Sequence, residues 1–195
     1  MLVLASASPR RQELLRNAGI PFVVQAAHIA EDQLAGESPK TCAERLAREK
    51  AHAIFRKRPQ DAVLGADTVV VVDGVLLGKP QDGKDAERML RLLSGRTHEV
   101  ITGVCLVGPG NALAGSPVAS FEDTRSESTR VVMGKISDEQ IAAYVAGGEP
   151  LDKAGAYAIQ GVASRWISRI EGDYFNVVGL PVSLVYRMLR EHNAR

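Results

Sequence analysis

The amino-acid sequence predicts a mixed α/β fold, and three observations carry that prediction. Ala62 to Val72 is a continuous run rich in β-branched residues, as expected of a strand buried on both faces. Asp73-Gly74 then leads into Val75-Leu76-Leu77, a tight-turn signal that adds an antiparallel hairpin. Before and after these strands lie segments whose apolar residues recur at helical spacing.

Taken in order, Leu2 to Ala5 is a short apolar run expected to form a buried strand. It passes directly into Ser8-Pro9-Arg10-Arg11, a helix start in which Ser8 caps and Pro9 takes the first helical position. Leu14 and Leu15 begin the apolar face, and Gly19 and Pro21 end the helix. A second helix is expected to open at Thr41-Cys42-Ala43-Glu44, a capping-box pattern. Its apolar face runs through Ala43, Leu46, Ala47, Ala51, Ile54 and Phe55, and Lys50 falls on that same face.

After the hairpin, Gly78-Lys79-Pro80 breaks the strand, and Asp82 to Leu93 reads as a helix ended by Gly95. Glu99 to Val107 reads as a strand and Thr124 to Met133 as a half-exposed one. Between them, residues 108–117 are rich in Gly, Pro, Ala and Ser, which predicts a flexible loop. Ser137 to Ala146 is a helix with a Ser137/Gln140 capping pair, and Pro181 to Glu191 is a terminal amphipathic helix. There is neither an internal repeat nor an interdomain linker, so residues 1–195 are expected to form one domain.

Bulk composition narrows the partners. Basic and acidic residues number 24 and 23, a formal charge of +1, which provides no global field for a nucleic-acid polyanion. An anion site must therefore be local. The chain has only two cysteines, Cys42 and Cys105, without metal-ligand spacing. No stretch approaches a membrane span, and the apolar run at the start is too short for a signal peptide. A reduced, cytoplasmic setting is expected.

Four places look chemical rather than structural. Ser6, Ser8, Arg10 and Arg11 stand at a strand-to-helix join, where backbone N–H groups, hydroxyls and guanidiniums together suit a phosphate. The plainer alternative is a capped surface helix with solvated arginines. Asp67 lies in the middle of an apolar strand, where a carboxylate is costly unless paired or metal-bound; otherwise it is a strand-end residue facing water. Lys50 and Lys79 join these as candidates for a polyphosphate pocket, although each alone could be a solvated lysine. In Asp152 to Gly161, glycines allow close approach and Gln160 offers a donor and an acceptor to a base edge. Read blindly, the same stretch is a polar turn followed by a strand. It is not a P-loop, since Gly-x-x-x-x-Gly-Lys-Ser/Thr is absent. His28, His52, His98 and His192 lack metal-ligand spacing and read as structural or exposed. Ser6 and Ser8 lack a Gly-x-Ser-x-Gly setting, which argues against a serine hydrolase.

The motifs Leu4-Ala5-Ser6-Ala7-Ser8-Pro9-Arg10-Arg11, Ala66-Asp67-Thr68-Val69-Val70, Gly78-Lys79-Pro80 and Gly148-Glu149-Pro150-x-Asp152-Lys153-Ala154-Gly155 occur in that order. With Leu46-Ala47-x-x-Lys50-Ala51, Leu93-Ser94-Gly95-x-Thr97-His98 and Asn176-Val177-Val178-Gly179-Leu180-Pro181, the chain resembles the Maf family along nearly its whole length. That resemblance implies a nucleoside triphosphate pyrophosphatase of mixed α/β fold. Two lobes around a central cleft are implied, similar to the inosine triphosphate pyrophosphatases. It implies a homodimer dependent on Mg²⁺ or Mn²⁺, with Asp67 as proton acceptor and Ser6, Arg10, Arg11, Lys50 and Lys79 around the phosphates.

Ser-Pro-Arg-Arg followed by Lys-Ala-Gly-Ala-Tyr-Ala-Ile-Gln-Gly is similar to the branch that prefers dTTP and UTP. Its specificity positions correspond to Arg11, Thr68 and Gln160. A neutral Gln160 suits an uncharged thymine or uracil, whereas the branch acting on 7-methyl-GTP carries a glutamate there. Members often have an Asp-Glu pair before the second helix; here it is Ala30-Glu31, which leaves Glu31 with Asp67 as the expected metal carboxylates. The loop from Gly108 to Glu127 looks longer than usual for the family. A non-catalytic regulator of cell division or septum formation is the alternative function, and a house-cleaning enzyme for modified nucleotides is a further one.

Overall fold

The chain begins with a three-residue strand, β1 (Leu2–Leu4), followed by α1 (Pro9–Asn17) and the two-residue β2 (Val23–Val24). Next come α2 (Pro39–Phe55), β3 (Ala62–Val72), β4 (Val75–Leu77) and α3 (Gly83–Leu93). Two long strands, β5 (Thr97–Pro109) and β6 (Ser120–Met133), precede α4 (Asp138–Ala146). The chain closes with β7 (Ile167–Glu171), α5 (Tyr174–Val178) and α6 (Val182–Glu191). These elements come from a computed structural model that describes residues 1–110 and 120–194. The loop predicted over 108–117 therefore lies mostly outside the described residues, and the flanking strands reach further towards it than sequence alone proposed.

The sheet has seven strands in the order β2-β1-β3-β5-β6-β7, with β4 added to β3. β1 pairs in parallel with β2 and β3, whereas β3–β4 and β6–β7 are antiparallel, so the predicted mixed sheet is present. Asp73 and Gly74 take positive φ values of 50° and 78°, the primed turn that the hairpin requires. Two compact units divide the chain: residues 1–67, 102–127 and 179–195 form one, and 68–101 and 128–178 the other.

In the first unit, Val3, Ala5, Ala47, Ala51, Ile54, Val63, Cys105 and Val107 form a core between sheet and α2. Here α2 comes unusually near the strands. A Cβ on Gly65 would lie 2.1 Å from the Ala47 carbonyl oxygen, and one on Gly103 would lie 2.3 Å from that of Ala43. Glycine on the strands and alanine at positions 43, 47 and 51 of the helix make that approach possible. The second unit packs α3 and α4 around Leu90, Leu93, Ile141, Tyr144 and Trp166.

Several local expectations are corrected. The helix start placed at Thr41 lies instead at Ser38, whose side chain accepts the Thr41 N–H, with Pro39 at the first helical turn. Two hydroxyl residues stand three apart there, and the proline, already shaped for a helix, decides between them. Residues 152–161 contain no strand; they run through 3-10 turns at Glu149–Asp152 and Ala154–Ala156, with Gly155 at φ 67°. The capping pair expected at α4 is present, with Ser137 and Gln140 bonding reciprocally.

The close approach of α2 yields a first prediction. Gly65→Ala places a methyl group on helix backbone, which cannot yield as a flexible side chain does. It should destabilise the protein by about 1–3 kcal/mol, seen as a fall in Tm of roughly 2–4 °C per kcal/mol. Thermal unfolding that matches wild type would show that the helix can retreat without cost.

Candidate active site

The candidate side chains lie just beyond the carboxyl end of β1 and midway along β3, where the parallel pairing of the two strands runs out. Beyond Leu4, the Ala5 N–H donates to the Leu64 carbonyl at 2.8 Å, which continues the pairing to the point where Ser6 follows. Ser6 is buried, and its hydroxyl accepts the Ser8 N–H at 3.3 Å and an Arg11 Nη1–H at 3.2 Å. Ser8 occupies the N-cap position without a side-chain cap bond, so the capping role expected of its hydroxyl is not made. The turn is instead organised by Ser6, and the start of α1 has no side-chain cap to compete with an anion.

Arg11 is buried, and two backbone carbonyls fix it. Its Nε donates to Gly179 O at 2.8 Å and its Nη1 to Ala66 O at 2.9 Å. Burial lowers the proton affinity of this guanidinium, while the charges of Asp67 and Glu31 oppose that shift and that of Arg10 adds to it. It stays cationic, since arginine is not deprotonated in proteins. Arg10, half-buried on the same turn of α1, adds a second guanidinium.

Lys50 is the hinge of the arrangement. The alanine stripe that brings α2 onto the sheet also brings Lys50 beside Asp67, two residues beyond Gly65 on β3. Lys50 Nζ lies 2.6 Å from Asp67 Oδ1 and 2.6 Å from Glu31 Oε1. Both Lys50 and Asp67 are buried, so each depends on the other; removing one partner of such a pair costs about 3–5 kcal/mol. Glu31 is 39% exposed in its side chain and contributes less to stability.

The irregular segment that bears Glu31 is held by a network the sequence reading missed. Arg45 of α2 donates through Nε to Glu37 Oε1 at 2.7 Å and through Nη2 to Glu37 Oε2 at 2.9 Å. It also reaches the Asp32 carbonyl at 2.9 Å and Glu49 at 3.1 Å. The Arg45 bonds hold the Glu37 carboxyl down at about 2. The pairing of Arg45 with Glu49 is a local i,i+4 contact; its link to Glu37 comes from the irregular segment before α2.

The first unit thus gathers Ser6, Arg11, Glu31, Lys50 and Asp67, with Arg10 on the adjoining helix turn. Thr68, Lys79 and Gln160 belong to the second unit. Thr68 follows Asp67 on β3 and is half-buried. Lys79 is exposed, in the segment leaving β4. The Gly155 N–H donates to Gly78 O at 3.0 Å, and Gly155 packs so tightly on Val70 that a Cβ would lie 3.0 Å from its methyl groups. Gln160 is exposed in a turn that follows Tyr157. Buried Tyr157 shares a 2.7 Å hydrogen bond with His98 Nε2. His98 is accordingly structural, and burial depresses its pKa to about 4.

Among the described residues no group of three or more His, Cys, Asp and Glu side chains could hold a metal. Glu31 and Asp67 nevertheless direct two carboxylate oxygens at a single cation, here the Lys50 ammonium. One or two carboxylates, completed by phosphate oxygens and water, are the usual protein share of a Mg²⁺ site, so the donor set fits.

Residues 1–192 match the family described as Maf-like protein. A protein of Koribacter versatilis (strain Ellin345) named dTTP/UTP pyrophosphatase is 58% identical over 189 residues, covering 97% of this chain and 93% of that one. Proteins with the same name from Symbiobacterium thermophilum and Syntrophomonas wolfei are 51% and 50% identical. They cover 97% and 95% of this chain, and 93% and 94% of their own lengths. Among solved structures, the Staphylococcus aureus Ham1 protein superposes with a TM-score of 0.52 at 13% identity, covering 97% of this chain and 98% of that one. That likeness bears on the fold alone.

The buried His98 has a consequence in acid. Its pKa lies near 4 when folded and near 6.5 when unfolded, so the unfolded chain binds the proton first as pH falls. Stability is therefore intact above about pH 6.5 and declines through pH 4, by about 3 kcal/mol for this group. Denaturation midpoints measured from pH 7 to 4 should fall less steeply for His98→Gln than for wild type. Parallel curves would remove His98 from the acid response.

Proposed function

Because this chain belongs to the Maf family, we propose that it hydrolyses dTTP and UTP, each to the monophosphate and pyrophosphate, and thereby cleans nucleotide pools. The observation that carries this reading is the buried Asp67 carboxylate held by Lys50 among fixed cations. A protein that only bound a nucleotide, such as a division regulator, would gain nothing from a buried carboxylate beside an anionic ligand.

Water attacks the α-phosphorus while Asp67 takes its proton; the bond from the α-phosphorus to the bridging oxygen breaks, and pyrophosphate leaves. Arg10, Arg11 and Lys79 would offset the growing negative charge, and Arg11 would do so from a position its backbone bonds already fix. Lys50 orients Asp67 in the free protein and offers its ammonium to a phosphate oxygen when substrate arrives. Ser6 keeps Arg11 and the start of α1 in register. A divalent cation, Mg²⁺ or Mn²⁺, would be held by Glu31 and Asp67 and would neutralise phosphate charge. Thr68 and Gln160 read the base, and the neutral Gln160 amide matches the uncharged edge of thymine or uracil.

The same reading includes a cytoplasmic homodimer with a nucleotide, and no nucleic acid, as partner. Its support is a near-zero net charge and two buried free thiols, Cys42 and Cys105. No helix among the described residues is long and apolar enough to cross a membrane.

Two measurements test the reading. Pyrophosphate release with Mg²⁺ or Mn²⁺ across dTTP, UTP, CTP, GTP and 7-methyl-GTP should be fast for dTTP and UTP alone. Asp67→Asn should lower that release by about 10²–10⁴ while nucleotide binding persists. Near-normal turnover by this variant would take Asp67 out of the mechanism.

A further inference from the structure

Glu149 has no part in the phosphate chemistry, yet both oxygens of its carboxylate are engaged close to Gln160. Tyr144, buried on α4, donates its hydroxyl to Glu149 Oε1 at 2.8 Å. The Val162 backbone N–H donates to Oε2 at 3.3 Å. Gly161 is what lets the carboxylate in: a Cβ there would lie 2.0 Å from Oε1 and 2.8 Å from Oε2. The Gly161 N–H closes the turn on Ala158 O at 3.1 Å, with Ile159 and Gln160 between them. On the other side of the turn, Tyr157 is tied to His98. Gln160 is itself exposed, so its placement comes from the backbone on either side.

Placement matters for a glutamine more than for most readers of a base. Its amide carries a donor and an acceptor, and a loosely held amide can turn to present them in either order. Uracil and cytosine present opposite patterns at that edge. An amide free to shift and turn would satisfy both, whereas one held within a fraction of an ångström would favour one.

We propose that Glu149 is a positioning residue for base choice: by holding the Val162 N–H and packing against Gly161, it fixes the turn that presents Gln160. This rests on the reading of Gln160 as the base reader. Tyr144 completes the device, because burial, and next the bond to Glu149, push its ionisation upward and keep it a donor.

The test is steady-state pyrophosphate release with UTP, dTTP and CTP by the full-length protein and its variants. Glu149→Ala and Gly161→Ala should each reduce the UTP-over-CTP ratio of kcat/KM by about tenfold or more. The change should come through KM for UTP, with kcat within a few-fold of wild type. Glu149→Gln should restore most of the ratio, since its amide oxygen can accept from Val162 while Tyr144 accepts from its NH₂. A residue that merely stabilised the fold would not move the ratio. If Gln160→Ala lowers the ratio and Glu149→Ala does not, the proposal is overturned and the base reader stands. If Gln160→Ala leaves the ratio unchanged, both fall together. Should Glu149→Ala not fold, Gly161→Ala and Tyr144→Phe decide; wild-type ratios in both overturn the proposal.

Discussion

The contact of Lys50 with Asp67 is the constraint on which the first unit depends. An ammonium and a carboxylate are both out of water there, 2.6 Å apart, and neither is tolerable alone. Their meeting is decided by backbone, not by side-chain reach. Because Gly65 and Gly103 carry no Cβ, the helix can lie with its Ala43 and Ala47 carbonyls almost on the strands. Larger residues on either side would hold the helix away and leave two unpaired charges under an apolar cover.

Around that pair, rigidity is graded. Arg11 is locked by two carbonyls and a hydroxyl, Lys50 by two carboxylates, and the Glu31 segment by the fork of Arg45. Glu31 is the most exposed member. The second unit follows a different plan. Its chemical side chains, Lys79 and Gln160, are exposed, and the order lies in the backbone beneath them: Gly155 on Gly78, Tyr157 on His98, Glu149 on Val162. In the proposed function, fixed charges serve a phosphate and a held loop serves a base.

How much of this could be read in the sequence depended on the physics of each element. The strand bearing Asp67 was legible because a carboxylate in a β-branched run contradicts its surroundings. Lys50 was legible because helical spacing placed a charge on an apolar face. The hairpin, the Gly95 stop of α3 and the capping pair of α4 followed from local turn chemistry. Periodicity could not report 3-10 turns, so 152–161 was read as containing a strand, and the short β2, β7 and α5 were passed over. Glu31 meeting Lys50, and Arg45 meeting Glu37, are encounters made by an irregular segment, for which no pattern exists. Taken alone, Lys79 and Gln160 look like ordinary turn residues; the company of Asp67 and the arginines, and an amide set among glycines, marked them out before family likeness did.

The Arg11–Gly179 bond also bears on folding. It joins residues 168 positions apart, so the guanidinium gains both of its carbonyl acceptors only once segments distant in the chain have met. The corner around Arg11 is therefore set by long loop closure and not by local propensity, as a clasp that shuts on elements already formed.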